Sequence, residues 1–280
     1  MALAHSLDRD GFAVVDGFLE AEELSEAGRL VERILQAPCE QTCRRAHNEL
    51  FPLRWNSSLV ELLLRSDRRV RLLADISEAD DLRWISGYIS IKEPHSPPLW
   101  WHQDWWCWDH PVSYRRVPTQ LATLCYLTAT SVQNGALRVL PGTHHKSAPI
   151  HAHLPEAHTE FAETLDPSHV ALRDQPDQVT LSMRAGDAVV MDYRLLHGTH
   201  ANESAGRRDC IILNFAPSWR RLPDAIKGHL ICHAALPVES ETVPASDGIS
   251  KLLPTFAGER RSLALNRNVP ASFGSRVQGV

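Results

Sequence analysis

The sequence has no hydrophobic run long enough to cross a lipid bilayer. Hydrophobic residues make up 43% of its 280 residues, but polar residues interrupt every apolar stretch before it reaches about 18 residues. The first residues, MALAHSLDRDGF, lack the basic region and long apolar core of a secretory signal. We therefore expect a cytoplasmic protein with no membrane partner.

An excess of positive charge is also absent. Lysine and arginine number 29 against 34 acidic residues, which gives a formal net charge of −5, so a nucleic acid is not an expected partner. Cysteine is scarce, with six scattered residues, which is typical of free thiols rather than of a disulfide framework. The length and the lack of internal repeats predict a single domain over residues 1–280. Whether it forms a monomer or a homodimer is left open.

Helical periodicity marks roughly the first 80 residues, which we expect to support the core. Apolar residues at helical spacing predict an amphipathic helix over 21–36. A second helical region covers 57–76, with a new helix cap near Ser66. From residue 82 the period changes to two, and RWISGYISIK predicts a strand with two distinct faces. The apolar face would hold Ile85, Ile89 and Ile91, and the other face Trp84, Ser86, Tyr88, Ser90 and Lys92.

Several short strands follow, without helices alternating between them. Turn signals such as Asn134-Gly135 separate them, which predicts an antiparallel sandwich or barrel with flanking helices. The expected core spans about 82–217. A polar, histidine-rich insertion over about 147–177 is a candidate lid, and residues 218–280 are expected to wrap the core. The further strands are predicted over 120–128, 136–140, 178–183, 187–192 and 209–217.

The residues that carry chemistry lie in LWWHQDWWCWDH, residues 99–110. His102 and Asp104 are two residues apart, so on a strand both point to one side. The phrase MDYRLLHGTH adds His197 at the end of a later strand, with His200 as a competitor. Two histidines and one carboxylate on one side of a metal leave open positions opposite, an arrangement that suits Fe(II) activating dioxygen.

Taken together, these motifs resemble the phytanoyl-CoA dioxygenase family of Fe(II)/2-oxoglutarate oxygenases. The resemblance covers roughly residues 8–217 and implies a double-stranded β-helix core, the cupin-like jelly roll, with flanking helices. The matching segments are GFAVVDGF at 11–18, Lys92, HQD at 102–104, NGALRVLPGTHH at 134–145, AGDAVVMDYRLLHGTHANES at 185–204, and Arg208.

The resemblance also implies roles for single residues. Arg208 would pair with the distal carboxylate of 2-oxoglutarate, helped by Thr199, and a planar guanidinium suits that task. Gln103 would lie near the same cosubstrate. Arg207 competes for the anion role, but spacing and strand parity favour Arg208. No catalytic side chain is expected beyond the metal centre. The residues assigned to the iron are His102, Asp104 and His197.

One departure from the family concerns the substrate. Leu124 lies where the best-known members carry a tryptophan close to the cosubstrate, which argues against a fatty acyl-CoA substrate and leaves the cofactors unaffected. The tryptophans around the HQD motif either pack in the core or line a pocket, and Trp106 or Trp108 is the expected pocket wall. Tyr88 and Lys92, on the polar face of their strand, are further candidates for substrate binding.

The sequence thus predicts an enzyme that uses Fe(II), 2-oxoglutarate and O2 to oxidise an unactivated C–H bond of a small molecule. Hydroxylation, ring closure and desaturation all stay open, and halogenation is not expected because Asp104 keeps its carboxylate. A secondary metabolite such as an antibiotic, possibly glycosylated, is the expected substrate class. The alternatives are a non-catalytic cupin-like protein that binds a sugar or other small molecule, and a metal-dependent cupin enzyme without 2-oxoglutarate. The roles of the histidines between His144 and His153 are left open.

Overall fold

The computed structural model describes residues 2–37, 47–244 and 248–269, together with the backbone of Cys43 and Arg44. In this part of the chain, eleven strands form two antiparallel sheets. The strands are β1 (Phe12–Val15), β2 (Cys43–Arg44), β3 (Glu49–Leu53), β4 (Arg83–Lys92), β5 (Leu99–His102), β6 (Leu121–Tyr126), β7 (Leu137–Val139), β8 (Val179–Leu181), β9 (Ala188–Asp192), β10 (His197–Thr199) and β11 (Arg208–Ala216).

From β4 to β11 the chain passes back and forth between the two sheets, except that β7 and β8 follow one another in the smaller sheet. The larger sheet has the order β1-β9-β6-β11-β4-β3-β2, and the smaller one has the order β5-β10-β7-β8. Apolar side chains from both sheets, among them Leu124, Val139 and Met191, pack together between them. This alternation of β4 to β11 is the topology of a double-stranded β-helix. The predicted fold, mainly β with a jelly-roll core and flanking helices, is therefore confirmed.

Helices cover the outer face of the larger sheet. Three helices, α2 (Ala21–Gln36), α3 (Ser58–Leu64) and α4 (Asp67–Ile76), pack apolar side chains such as Val31, Leu63 and Leu73 against that face. The hydroxyl of Ser66 accepts a hydrogen bond from the Arg69 amide, so a new helix starts where the sequence predicts a cap. None of the helices in the described ranges is long and apolar enough to span a bilayer. The helices are α1 (Ala2–Asp10), α2 (Ala21–Gln36), α3 (Ser58–Leu64), α4 (Asp67–Ile76), α5 (Glu160–Glu163) and α6 (Asp224–Leu230).

A bulge in β4 changes which side chains face the inside of the jelly roll. Asn214 and Phe215 are consecutive in β11 but pair with Ser86 and Trp84, so β11 skips Ile85. Because each skipped residue reverses the alternation of faces, Trp84 joins the core beneath the helices, whereas Ile85 faces a cavity. The prediction that placed Ile85 on the apolar face and Trp84 opposite is wrong, since strict alternation assumes an unbroken ladder.

Two later segments pack around β5. The insertion at 147–177 contains α5 and two short 3-10 helices, and its Ile150 and Leu172 contact Trp101 and Trp100 respectively. Beyond β11, α6 and the chain up to residue 269 cover the open end of the barrel. There, the Asn266 amide donates to the carbonyl of Trp106. Both segments therefore reach the strand that carries the HQD motif.

Candidate metal centre

The ladder between β5 and β10 brings the two histidines of the motif together. His102 ends β5, His197 begins β10, and the two are direct partners across the ladder. Asp104 follows two residues after His102. Its carboxylate oxygens lie 3.5 Å from His102 Nε2 and 3.7 Å from His197 Nε2. All three ligand atoms lie within 4.8 Å of one another.

Backbone carbonyls fix the orientation of both imidazoles. His102 Nδ1 lies 2.9 Å from the carbonyl oxygen of Trp100, and His197 Nδ1 lies 3.0 Å from that of Leu195. A carbonyl only accepts hydrogen bonds, so each Nδ1 carries the proton and each Nε2 offers a lone pair toward Asp104. Burial, reinforced by the neighbouring His102, lowers the pKa of His197 to about 4. At neutral pH this imidazole is therefore uncharged, the form that binds metals.

The Asp104 carboxylate is held by a histidine that the sequence did not single out. His158, in the insertion at 147–177, places its Nε2 3.0 Å from Asp104 Oδ1. Burial by itself would raise the pKa of Asp104, but the contacts with His102, His158 and His197 outweigh it and hold that pKa well below its usual range. The third ligand is therefore ionised and oriented.

The donor set fits a divalent iron ion. Two neutral imidazole nitrogens and one carboxylate oxygen are the ligands of non-haem Fe(II) sites with open positions. A metal about 2.1 Å from each ligand sets neighbouring ligand atoms about 3 Å apart. The observed 3.5 and 3.7 Å need only a small closure of the side chains.

Replacing His158 with alanine is expected to weaken metal binding by about 10- to 100-fold, because residues that orient a ligand typically contribute that much to affinity. Calorimetric titration with Mn(II), a redox-stable substitute for Fe(II), measures the effect. His153→Ala is the matched control, since His153 is an exposed histidine of the same insertion. Equal affinities for His158→Ala and His153→Ala would show that His158 does not orient Asp104.

An inner cavity extends from the triad to Arg208, the first residue of β11. Arg208 is 3% exposed, its Nε has no hydrogen-bond partner, and it forms no ion pair with any described residue. Thr199 and Leu124 line the same cavity. Arg207 instead turns outward and pairs with Asp209, with 2.7 Å between Nε and Oδ1. A buried guanidinium without an anion is costly, so an anionic ligand in this cavity would be stabilised by Arg208.

A larger outer cavity of about 560 Å³ adjoins the inner one at Asp104 and His158. Trp106 forms part of its wall and donates from Nε1 to Gln120 Oε1 over 2.5 Å. The Tyr88 hydroxyl lies 3.2 Å from Nε2 of His233, which follows α6. His233 also lines the cavity, and the remaining polar lining residues are Ser86, Tyr193, Asn214, His229 and Arg267.

The structure places three of the predicted pocket residues elsewhere. Gln103 points opposite to its two ligand neighbours, and its amide donates to the carbonyl of Arg194 rather than lining the inner cavity. Trp108 is buried in an aromatic and aliphatic cluster behind Trp106. Lys92 is completely buried, and its Nζ donates to the carbonyls of His47 and Pro97 at 2.9 and 2.7 Å. The alternation of side chains along a strand did not reveal that these three side chains pack against other parts of the protein instead of lining the inner or the outer cavity.

The buried amine of Lys92 makes the stability of the protein depend on pH. Burial, with help from the charges of Arg208 and Arg138, lowers the pKa of Lys92 from 10.5 to about 6. Between these two values the unfolded chain holds a proton that the folded chain has released. The free energy of unfolding should therefore rise with pH across this window, by at most about 1.4 kcal/mol per pH unit from this group.

We expect Lys92→Met to remove this contribution. Relative to the native chain, the free energy of unfolding of the variant should therefore increase most toward pH 6. Urea unfolding at a series of pH values measures it, with the exposed Lys146→Met as control. Parallel pH profiles for the native chain and Lys92→Met would contradict the expectation.

The remaining histidines lie away from the triad. His200 places its Nε2 2.8 Å from the Thr180 hydroxyl, so it does not replace His197. His144 and His145 stack with ring centroids 3.9 Å apart, and His144 contacts the carbonyl of Asp8 in α1. In the described part of the chain, the only cluster of metal-binding side chains is the triad.

Known proteins resemble this chain over most of its length. A family model described as phytanoyl-CoA dioxygenase matches residues 7–210. An ectoine dioxygenase from Nocardia farcinica is 26% identical over 228 residues, which cover 75% of each chain. The alpha-ketoglutarate-dependent epimerase SnoN from nogalamycin biosynthesis superposes with a TM-score of 0.58 at 23% identity, over 77% of this chain and 82% of SnoN. HygX from Streptomyces hygroscopicus, with nickel, 2-oxoglutarate and hygromycin B bound, gives 0.59 at 21% identity, over 77% and 86%. The two superpositions reflect a common fold.

Proposed function

Because the chain belongs to the phytanoyl-CoA dioxygenase family, a family of Fe(II)- and 2-oxoglutarate-dependent oxygenases, we propose that it oxidises an unactivated C–H bond of a small molecule. Hydroxylation, ring closure and desaturation all fit this site. The observation that carries the proposal is that the buried, unpaired Arg208 shares one cavity with the 2-His-1-carboxylate cluster.

In this proposal His102, Asp104 and His197 hold the iron. Their ligand atoms lie within 4.8 Å of one another. All three side chains line the inner cavity, and Asp104 also lines the outer one. Iron and 2-oxoglutarate bound there would supply the oxidising chemistry, in which O2 is reduced while the cosubstrate becomes succinate and CO2. The protein supplies the ligand set, and His158 keeps the Asp104 carboxylate oriented.

The inner cavity would bind 2-oxoglutarate in one direction. Arg208 offers two parallel N–H donors to the distal carboxylate, a geometry specific to planar anions. The hydroxyl of Thr199 lies in the same lining. The keto acid end then points to the triad, where it would meet the metal.

The outer cavity would bind the organic substrate next to the open side of the triad. Its volume of about 560 Å³ suits a small molecule. Trp106 provides an apolar wall, and the rings and aliphatic side chains around it exclude water from the reacting carbon. The insertion at 147–177 and the segment after residue 217 close this cavity, and we propose that they act as lid and wrap of one domain.

We infer a secondary metabolite as substrate from two similar folds. SnoN belongs to nogalamycin biosynthesis, and HygX was solved with hygromycin B bound. The rival functions are a non-catalytic cupin-like binding protein and a cupin enzyme without 2-oxoglutarate. Neither accounts for a buried arginine that faces the triad without an anionic partner in the described residues.

The proposed function is tested by succinate release. Purified protein with Fe(II), 2-oxoglutarate and O2 is incubated with a library of microbial metabolites, and succinate and the oxidised products are measured together. We expect at least one compound to stimulate succinate formation and to gain oxygen or lose hydrogen, and Asp104→Ala to do neither. Binding of library compounds without any succinate from the native protein would favour the binding-protein alternative.

A further inference from the structure

The outer cavity has an unusual charge inventory. Its lining contains a single acidic side chain, Asp104, and that one belongs to the triad. Burial lowers the pKa of His229 and of His233, so both imidazoles are neutral at physiological pH. The permanent positive charge in the lining is Arg267. Among the described residues, the cavity thus offers one permanent cation and no carboxylate beyond Asp104.

Arg267 is held in place by its own segment. The Asn266 amide donates to the Trp106 carbonyl over 2.8 Å, and the Asn266 side chain donates to the Asp109 carboxylate over 2.8 Å. Arg267 itself donates from Nη1 to the backbone carbonyl of Asp104 at 3.0 Å. The guanidinium is therefore fixed at the boundary between the triad and the outer cavity.

Arg267 lines the outer cavity, and none of the described carboxylates forms an ion pair with it. Burial raises the pKa of the Tyr88 and Tyr193 hydroxyls, and the Arg267 charge opposes that shift in both. Nη2 and Nε donate no hydrogen bond to described residues. These two nitrogens of the Arg267 guanidinium can therefore donate hydrogen bonds to a ligand.

We propose that Arg267 binds an anionic group of the substrate, and that the substrate carries one carboxylate rather than several ammonium groups. This inference rests on the proposed function and names the substrate class of that site. A guanidinium binds a carboxylate through two parallel hydrogen bonds, while Trp106 contributes an apolar wall of the cavity. The carboxylate would anchor one end of the molecule and set which carbon reaches the triad.

The same inventory argues against aminoglycoside-like substrates. Several ammonium groups would need carboxylates or many carbonyls in the wall, since burying an unpaired charge is costly. Among the described residues, the lining of the outer cavity has no carboxylate beyond Asp104. The proposal thus separates this chain from HygX, which was solved with hygromycin B bound, although the two folds are alike.

Two related compounds test this inference. Naphthalene-2-carboxylate and naphthalene-2-carboxamide are nearly equal in size and shape, but the amide is neutral and carries an NH2 donor in place of one carboxylate oxygen. Their binding is measured by calorimetry on protein loaded with Ni(II) and 2-oxoglutarate, which would occupy the triad and the inner cavity. We expect the native protein to prefer the carboxylate by about 10- to 100-fold. Arg267→Met should bring that ratio close to one, and Arg267→Lys should keep part of it. Arg261→Met, an exposed arginine of the same segment, should keep all of it.

Each possible result decides the inference. A ratio near one in the native protein, an unchanged ratio in Arg267→Met, or no binding of either compound would overturn it. Titration of each variant with Ni(II) and 2-oxoglutarate shows whether the fold is intact. Failure of the native protein to bind 2-oxoglutarate would count against the proposed function. If 2-oxoglutarate binds but the native protein does not prefer the carboxylate, only the proposed role of Arg267 is contradicted.

Discussion

His197→Ala is expected to weaken Fe(II) binding by roughly two to three orders of magnitude, since a protein ligand contributes about 3 kcal/mol to a site of this kind. Succinate formation should end with it. The lost group is an imidazole whose Nδ1 is fixed 3.0 Å from the Leu195 carbonyl and whose Nε2 faces Asp104. A water molecule can fill the vacated position but does not restore a preoriented ligand. Competition with a chromogenic chelator under anaerobic conditions measures the affinity.

The matched control for this variant is His200→Ala. His200 lies three residues further along the chain, and its Nε2 contacts the Thr180 hydroxyl at 2.8 Å instead of the triad. It should bind Fe(II) as tightly as the native protein. If His200→Ala loses iron and His197→Ala keeps it, the assignment of the second histidine is reversed.

Arg208→Met is expected to weaken the binding of 2-oxoglutarate by about 100-fold, while the affinity for the metal stays unchanged. The substitution keeps an unbranched apolar side chain but removes the guanidinium and with it a bidentate, charge-assisted contact to a carboxylate. Because Arg208 is 3% exposed, water cannot take over its role. Calorimetric titration of 2-oxoglutarate into the Mn(II)-loaded protein reports the change.

Arg207→Met serves as the control, because Arg207 is the adjacent residue on the opposite face of β11. Its guanidinium pairs with the carboxylates of Asp209 and Glu32 at the surface. We expect native affinity for 2-oxoglutarate in this variant. If Arg207→Met lost affinity for 2-oxoglutarate and Arg208→Met did not, Arg207 rather than Arg208 would bind the carboxylate, and the assignment of the anion site would be wrong.

Local sequence patterns predicted most of the helices and strands. The helix predicted over 21–36 and the strand over 83–92 match α2 and β4 to the residue, because each carries a long, uninterrupted hydrophobic period. The serine cap at Ser66 divides the second helical region as expected. The two-residue spacing of His102 and Asp104 and the position of His197 placed the candidate ligands together, since strand ends are fixed by the sheet that holds them.

The features that the sequence did not reveal depend on contacts between distant segments. His158 lies 54 residues from Asp104, and Arg267 lies 163 residues from it, and neither stands in a pattern that a local reading detects. The bulge at Ile85 arises from pairing with β11 and leaves no mark in the period of β4 itself. Likewise, of the two tryptophans expected at the pocket, Trp106 lines the cavity while Trp108 packs behind it.

The most direct test of the account is anaerobic titration of the metal-free protein with Fe(II) and 2-oxoglutarate, followed by visible absorption. A 2-oxo acid chelated to Fe(II) in a 2-His-1-carboxylate site gives a weak charge-transfer band in the visible range. We predict that the band appears in the native protein, is absent in His197→Ala, and requires a much higher 2-oxoglutarate concentration in Arg208→Met. Binding of Fe(II) without this band at saturating 2-oxoglutarate would contradict the account and favour a cupin that does not use this cosubstrate.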